Sequence, residues 1–283
     1  METQKNPFDS LMPTEMAKKA EEVGIYKATK NPFQSLVLAI SAGVFISIAF
    51  VFYTTVTIGT ADMAYGISHL VGGLAFSLGL ILVVICGGDL FTSSVLTTIA
   101  RASGRISSSQ LLKNWATVYV GNLIGAAFFV LLVWFAKLHL VANGAWGVNA
   151  MNIAQHKLHH DFSQAIALGL LCNLLVCLAT WMTFSCRSAT DKVVVMLLPV
   201  AMFVATGFEH SIANMFMVPM GIMVHTFADA AFWQSVGLEP ALYADLTLKQ
   251  FVLHNLIPVT IGNILGGLLV GMTYWIIHLK PKG

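Results

Sequence analysis

The amino-acid sequence predicts an all-α membrane protein with six transmembrane helices, the second and fifth of them broken, built as an inverted repeat of three-helix units. Composition is the first reason. Of the 283 residues 57% are apolar and 10% charged, with a mean hydropathy of +0.78, against roughly 25% charged in a soluble domain. The second is a division into six apolar stretches, each meeting the ~20 residues a helix needs to cross a bilayer. The third is that the second and fifth stretches carry a charge at their middle, in Gly87-Gly88-Asp89-Leu90-Phe91-Thr92-Ser93 and in Thr206-Gly207-Phe208-Glu209-His210-Ser211. A charge at membrane depth is costly and is retained for a use. Non-helical backbone there must be buried in protein or line a cavity. Interrupted spans in corresponding halves are the sequence mark of a path through the membrane.

Residues 1–30 form a polar segment ahead of the first span. Pro13 suits a helix start. Met16, Ala20 and Val23 make an apolar edge opposite Lys18, Lys19, Glu21 and Glu22, so a short amphipathic helix anchored on the cytoplasmic surface is expected. No apolar core of a cleavable signal is present in this segment, which leaves the first span as its own insertion signal. Residues 31–283 are expected to form one transmembrane domain, with repeat halves at 31–137 and 160–280. Its spans run Phe33–Ile58, Ile67–Ala100 with its interruption, Leu111–Ala136, Phe162–Cys186, Val193–Val224 with its interruption, and Phe251–Leu279.

Six spans put both termini on one side. That side carries Lys5, Lys18, Lys19, Lys27, Lys30, Arg101, Arg105, Lys113, Arg187, Lys192, Lys280 and Lys282, which is 12 of the 15 basic residues, against Lys137, Lys157 and Lys249. The excess of Lys and Arg marks the cytoplasmic side.

The halves share matched segments. Ala39-Ile40-Ser41-Ala42-Gly43 in span one pairs with Ala165-Ile166-Ala167-Leu168-Gly169 in span four. Gly121-Asn122-Leu123-Ile124-Gly125 in span three pairs with Gly262-Asn263-Ile264-Leu265-Gly266 in span six. An odd number of spans per unit forces opposite orientations, hence an inverted repeat. The paired glycines make small-residue faces that let helices approach closely. Asn122 and Asn263 sit inside those faces. Hydrogen bonding to backbone freed at the interruptions is their expected role, ahead of substrate contact.

The connection 137–160, with His139, His156, His159 and His160, reads as a flexible polar loop without a metal signature. The connection 225–249, with Asp229, Glu239 and Asp245, reads as a solvated cap. Cys86, Cys172, Cys177 and Cys186 show no pairing or ligand spacing and read as small buried apolar residues. No cofactor and no metal are expected, and a net charge of +2 gives no electrostatic case for nucleic acid.

His210 carries the most chemistry. A histidine at mid-membrane can be neutral or charged near neutral pH, since its unperturbed pKa is about 6.5. It could attract a small anion, hydrogen-bond it or hand it a proton; it could equally be a structural residue satisfied by Glu209, Asn173 or a carbonyl. Thr92, at the other interruption, can donate to an anion or fix the tautomer of His210. Asp89 and Glu209 repel anions and read as structural braces, accepting free backbone N–H groups at the start of the second half-helices. Phe76, Phe203, Leu80 and Met202 precede the interruptions and Leu90 lies within the first. Rings and branched chains there would make apolar constrictions that exclude hydrated ions.

The motifs GGDLFTS (Gly87–Ser93) and GFEHSIANM (Gly207–Met215) resemble the two loop signatures of the formate–nitrite transporter family. NPFD (Asn6–Asp9), AGVFISIAFVFY (Ala42–Tyr53) and NLIPVTIGN (Asn255–Asn263) extend the resemblance over nearly the whole chain. It implies an aquaporin-like protomer, homopentameric assembly, and a separate pore in each protomer for formate, nitrite, hydrosulfide, acetate or lactate. It maps the family's central histidine onto His210 and its paired threonine onto Thr92, with Asn173 beside the histidine. The outer constriction falls on Phe76 and Phe203, the inner slit on Leu80, Leu90 and Val176, and the vestibule lysine on Lys157. It also implies that Pro13–Tyr26 takes part in pH-dependent gating, and that a cytosolic formate-producing enzyme, pyruvate formate-lyase, can dock at the N-terminus.

The leading expectation is therefore a passive, pH-responsive formate channel of the bacterial inner membrane. A nitrite or hydrosulfide channel and an obligate proton–formate symporter are the alternatives. A water channel is disfavoured, because Asn6-Pro7 and Asn31-Pro32 lie outside the spans and no Asn-Pro-Ala pair occurs. An enzyme is disfavoured because no nucleophile–base pair accompanies His210.

Overall fold

Helix starts in this chain follow ordinary capping chemistry. The computed structural model describes residues 9–60 and 62–281; Lys5, Lys282 and the first three residues of the NPFD motif lie outside them. Helix α1 (Pro13–Thr29) begins on Pro13. Helix α2 (Pro32–Val56) is capped by Asn31, whose side chain accepts the Phe33 N–H. Helix α3 (Tyr65–Cys86) stops at Gly87, which takes φ +86° as the chain turns. After Leu90 the stretch resumes as α4 (Phe91–Ser94), a 3-10 turn, and α5 (Thr98–Ala102). A capping box between Ser107 and Gln110 starts α6 (Ser108–Phe135).

In the second half α7 (Ala145–Leu158) precedes α8 (Phe162–Thr183), which is capped by Asp161. Ser188 and Asp191 cap α9 (Ala189–Ala205). That helix stops ahead of Gly207, again at positive φ (+73°), and α10 (Ser211–Phe227) follows. The chain ends with α11 (Ala230–Val236), α12 (Leu248–Gln250), a π-turn over Phe251–Leu256, and α13 (Ile257–His278). The described residues form helices and no strand.

Five helical segments are long and apolar enough to cross a membrane among the described residues, and six if α10 and α11, bent by 106°, count as one. Helices α9 and α10 have 17 residues each, so neither alone reaches ~20. A crossing at Val193–Val224 needs both.

Small residues set the helix pairing. A Cβ on Gly125 would strike the carbonyl of Ile40, and one on Gly266 the carbonyl of Leu170. Helix α6 therefore lies against α2 as closely as α13 lies against α8. These contacts correct the repeat register read from sequence. Gly121 faces Leu36 and Ile40 while Gly262 faces Ile166 and Leu170, so Ala39 corresponds to Gly169, not Ala165. The expected pairing is one helical turn out. Residues four apart share a face, and a pattern of Ala, Ile and Gly looks alike in either register.

Helix α1 is built into the body of the protein. Ala17, Ala20 and Gly24 are buried, and the helix packs on the α4–α5 segment and α13. The surface-anchor expectation gives way to this because the Ala17–Ala20–Gly24 face is narrow enough to seat on the helices beneath it. Two loop expectations also change. The connection 137–160 contains α7, with Trp146, Met151 and Leu158 buried, and the connection 225–249 buries Phe232, Tyr243 and Leu246. Cys172 and Cys177 are buried, whereas Cys86 is exposed and Cys186 partly so.

Candidate functional site

The two interruptions are held by the same bonds. Asn122 on α6 accepts the Phe91 N–H at 2.9 Å and donates to the carbonyls of Ala39 (2.8 Å) and Asp89 (2.9 Å). Asn263 on α13 accepts the Ser211 N–H at 2.9 Å and donates to the carbonyls of Gly169 (2.8 Å) and Glu209 (2.9 Å). The amides of Asp89 and Glu209 donate to Leu38 and Leu168. Backbone polar groups freed at membrane depth are thus paired, as they must be.

The carboxylates do something other than cap. Asp89 takes the Ser35 hydroxyl at 3.1 Å, Lys27 at 3.7 Å and Lys30 in closer contact. Glu209 takes Lys157 at 2.9 Å, Asn214 at 2.6 Å and Asn255 at 3.1 Å, with His160 Nε2 at 3.7 Å. The sequence reading gave the backbone N–H groups to these carboxylates. The asparagines hold those groups, which leaves each carboxylate to pair with lysine. Burial pushes the Lys27 ammonium pKa down, with Asp89 opposing.

Between the interruptions Thr92 Oγ1 and His210 Nε2 are 2.9 Å apart. His210 also precedes α10 as its cap, and its Nδ1 accepts the Ala213 N–H at 3.0 Å. A nitrogen that accepts carries no proton, so the neutral ring holds its hydrogen on Nε2 and donates it to Thr92. The Thr92 hydroxyl hydrogen is left with no other bonding partner among the described residues. Asn173 is adjacent, but its amide donates to the carbonyls of Thr92 (3.1 Å) and Asn263 (2.5 Å) and not to the ring.

Two cavities approach this pair. The outer one, of about 380 Å³, is lined by Tyr65, His69, Phe76, Lys157, Phe203 and His210. The Phe76 and Phe203 rings meet edge to face at 5.8 Å, and Phe203 stacks toward His210 at 6.1 Å. His156 also lines this cavity; burial, then the nearby His160 and Lys157, lower its pKa. The inner cavity, of about 600 Å³, lies beneath α1 and reaches Val83, Gly87 and Asp89. Leu80, Leu90, Thr92, Asn173 and Val176 are buried and line neither cavity. Along α3, Phe76 faces the outer cavity and Val83 the inner one, so the section between them spans seven residues, about 10 Å at ~1.5 Å per residue. Met202 is 51% exposed and faces away.

The sequence reading singled out His210, Thr92, the phenylalanines and Lys157, but not Lys27, Lys30, Asn214 or Asn255. The two asparagines carried a signal, a polar amide within an apolar run. The two lysines carried none, because Lys27 on an amphipathic helix and Lys30 just past its end look like any solvated pair.

Residues 14–276 match the model of the formate/nitrite transporter family. The chain is 61% identical to the formate channel FocA of Escherichia coli (strain K12) over 98% of both chains. It is 50% identical to the formate channel FocA of Haemophilus influenzae over 94% of both. Among solved structures it is similar to a pentameric formate channel with formate bound, at a TM-score of 0.84 and 60% identity, over 88% of this chain and 98% of that one.

Proposed function

Because the chain belongs to the formate/nitrite transporter family, we propose that it is a passive, pH-responsive channel for formate and related small monovalent anions, bidirectional, in the bacterial inner membrane. In this reading it is a homopentamer embedded in lipid, with one path per protomer. The crossings are α2, α3 with α4–α5, α6, α8, α9 with α10, and α13. Both termini are cytoplasmic, and pyruvate formate-lyase is the proposed cytosolic partner of the N-terminal segment.

The observation that carries the reading is the Thr92–His210 hydrogen bond, which runs from the outer cavity, lined by His210, into the buried section that separates the two cavities. A bare anion in an apolar section is costly unless donors meet it. Thr92 offers its free O–H, and the ring polarises that hydroxyl through Nε2–H. The two carboxylates beside the path, Asp89 and Glu209, are each bound to lysine, which offsets their repulsion of an anion. A neutral ring lends a hydrogen bond but has no proton to give away. To hand one on, Nδ1 must first be protonated and release the Ala213 N–H, so proton transfer is coupled to acidity and to loosening of the first turn of α10. Anion export at neutral pH and proton-coupled uptake from an acidic exterior follow.

The test is formate flux into proteoliposomes across external pH, for wild type and His210→Asn. A pH switch in wild type that the variant lacks is expected. Identical profiles would make His210 structural and sink the proton-handling role. Competition by nitrite and hydrosulfide against formate flux ranks the anions.

A further inference from the structure

The inner cavity is much larger and more basic than a one-carbon anion requires. Its volume of about 600 Å³ lies in the ~300–1,000 Å³ range of small-molecule sites, many times the ~30 Å³ share of a water. Lys19, Lys27 and Lys30 line it from the α1 side, Arg187 from the turn between α8 and α9, and Lys192 from the first turn of α9; Asp89 is the one carboxylate in its lining. Asp89 is shared by Lys27 and Lys30, which leaves that trio one net positive charge. Lys19 is paired with exposed Glu22 at 3.2 Å. Arg187 directs Nε and Nη2 to the carbonyl of Asp9, a neutral acceptor. The nearby Asp191 carboxylate is occupied by the backbone N–H groups of Arg187 and Ser188. Among the described residues no carboxylate forms an ion pair with Arg187 or Lys192.

We propose that this cavity binds a multiply charged phosphoryl anion, bridging α1 to the α8–α9 turn. A guanidinium and lysines from two separate elements suit an anion with several oxygens and more than one charge, since a guanidinium forks onto such oxygens and ammoniums add point charges. The carbonyl of Asp9 is an acceptor the ligand would displace from Arg187. Bound there, the anion holds α1 over the cavity and stands between it and the cytoplasmic solution. The same chemistry is offered by a soluble polyphosphorylated metabolite and by the headgroup of an anionic phospholipid.

Isothermal titration of pyrophosphate into the detergent-solubilised full chain, at constant ionic strength and against a chloride control, tests the site without measuring transport. Its failure is therefore separable from failure of the formate reading. Saturable binding of one pyrophosphate per chain is expected, weakened at least about tenfold by the pair Arg187→Gln and Lys192→Gln and to an intermediate extent by Arg187→Lys, which keeps the charge and loses the fork, because a charged hydrogen bond contributes ~1.5–3 kcal/mol, or about tenfold and more. Lys249→Gln, on the opposite side, is expected to bind as wild type does and controls for net charge. Absence of saturable binding, or equal affinity in wild type and the paired variant, overturns the proposal. Repeating the titration in phosphatidylcholine nanodiscs with and without phosphatidic acid assigns the source: competition by the lipid identifies a headgroup site, and unchanged affinity a soluble ligand.

Discussion

Leu90 and His210 occupy equivalent positions in the two halves. Each is extended (φ −102°, ψ 129° and φ −113°, ψ 110°) and each immediately precedes the helix that resumes an interrupted stretch. The two differ in what the side chain can do there. Leu90 offers no acceptor, and Asn122 alone supports the start of α4. His210 caps α10 through Nδ1 and faces Thr92 through Nε2. One histidine thus joins helix stability to the path. His210→Asn is expected to keep the cap and lose the Nε2 donor, whereas His210→Phe loses both. Thermal unfolding in detergent should find the Phe variant less stable than the Asn variant by about 1 kcal/mol, the usual cap contribution. Equal stability would remove the capping role.

Thr92 is separable from its ring partner. Thr92→Val keeps the shape and removes the hydroxyl, leaving the His210 Nε2–H buried without its acceptor. Thr92→Ser keeps the hydroxyl. A buried donor left unpaired costs ~1–3 kcal/mol, so formate flux through Thr92→Val should fall roughly five- to a hundredfold, with Thr92→Ser near wild type. Stopped-flow flux into proteoliposomes measures both. A Val variant that conducts like wild type would move the donor role elsewhere.

Asn122 and Asn263 each bond three backbone groups, two of them at an interruption and one on the neighbouring helix. Replacing either by Ala strands the two groups at the interruption, at ~1–3 kcal/mol each when buried. Partial relaxation leaves an expected loss of roughly 2–4 kcal/mol, in the range where single substitutions become exceptional. Asp is the informative contrast: it can still accept the N–H but cannot donate to the two carbonyls. Unfolding curves that order wild type, Asp and Ala are expected for both asparagines, and the two series should match, because the bonds do.

What the sequence made legible is what depends on local chemistry. Charges beside glycines in an apolar run marked both interruptions, because no other arrangement tolerates them at depth. The start of α1 at Pro13 was legible on the same local grounds, since proline suits the first position of a helix. What stayed hidden depends on which element comes to lie against which. The lysine partners of Asp89 arrive from α1, about sixty residues earlier in the chain. Nothing in Lys27 or Lys30 distinguishes them from Lys18, which is exposed. The repeat register slipped by one turn because small and apolar residues recur every four positions in all these helices. Helix α7 was missed because its buried face (Trp146, Gly147, Ala150, Met151, Ala154, Leu158) is diluted by Asn, Gln, His and Lys on the others.

The outer cap should carry its own acid sensitivity, centred on Asp245. Its carboxylate accepts Gln155 Nε2 at 2.8 Å from α7 and lies 2.7 Å from His159 Nε2. Burial alone would raise the pKa of this group, but the bonds from Gln155 and then His159 outweigh burial and hold it below the usual carboxylate range. The unfolded chain therefore binds the proton more readily than the folded one. Stability from this contact is fully present above the ordinary carboxylate value of ~3.9 and is lost as pH falls through the lower, folded value. The contact is partly exposed, with the Asp245 side chain at 32% and His159 at 63%, so solvent screening keeps it to about 1 kcal/mol or less. Asp245→Asn should lower the melting temperature by roughly 2–4 °C at pH 7, the shift ~1 kcal/mol gives a chain of about this size. The gap to wild type should close progressively below pH 4, since both then present a neutral side chain to Gln155. A gap that stays constant from pH 7 to pH 3 would mean that packing of the side chain, and not its charge, ties the cap to α7.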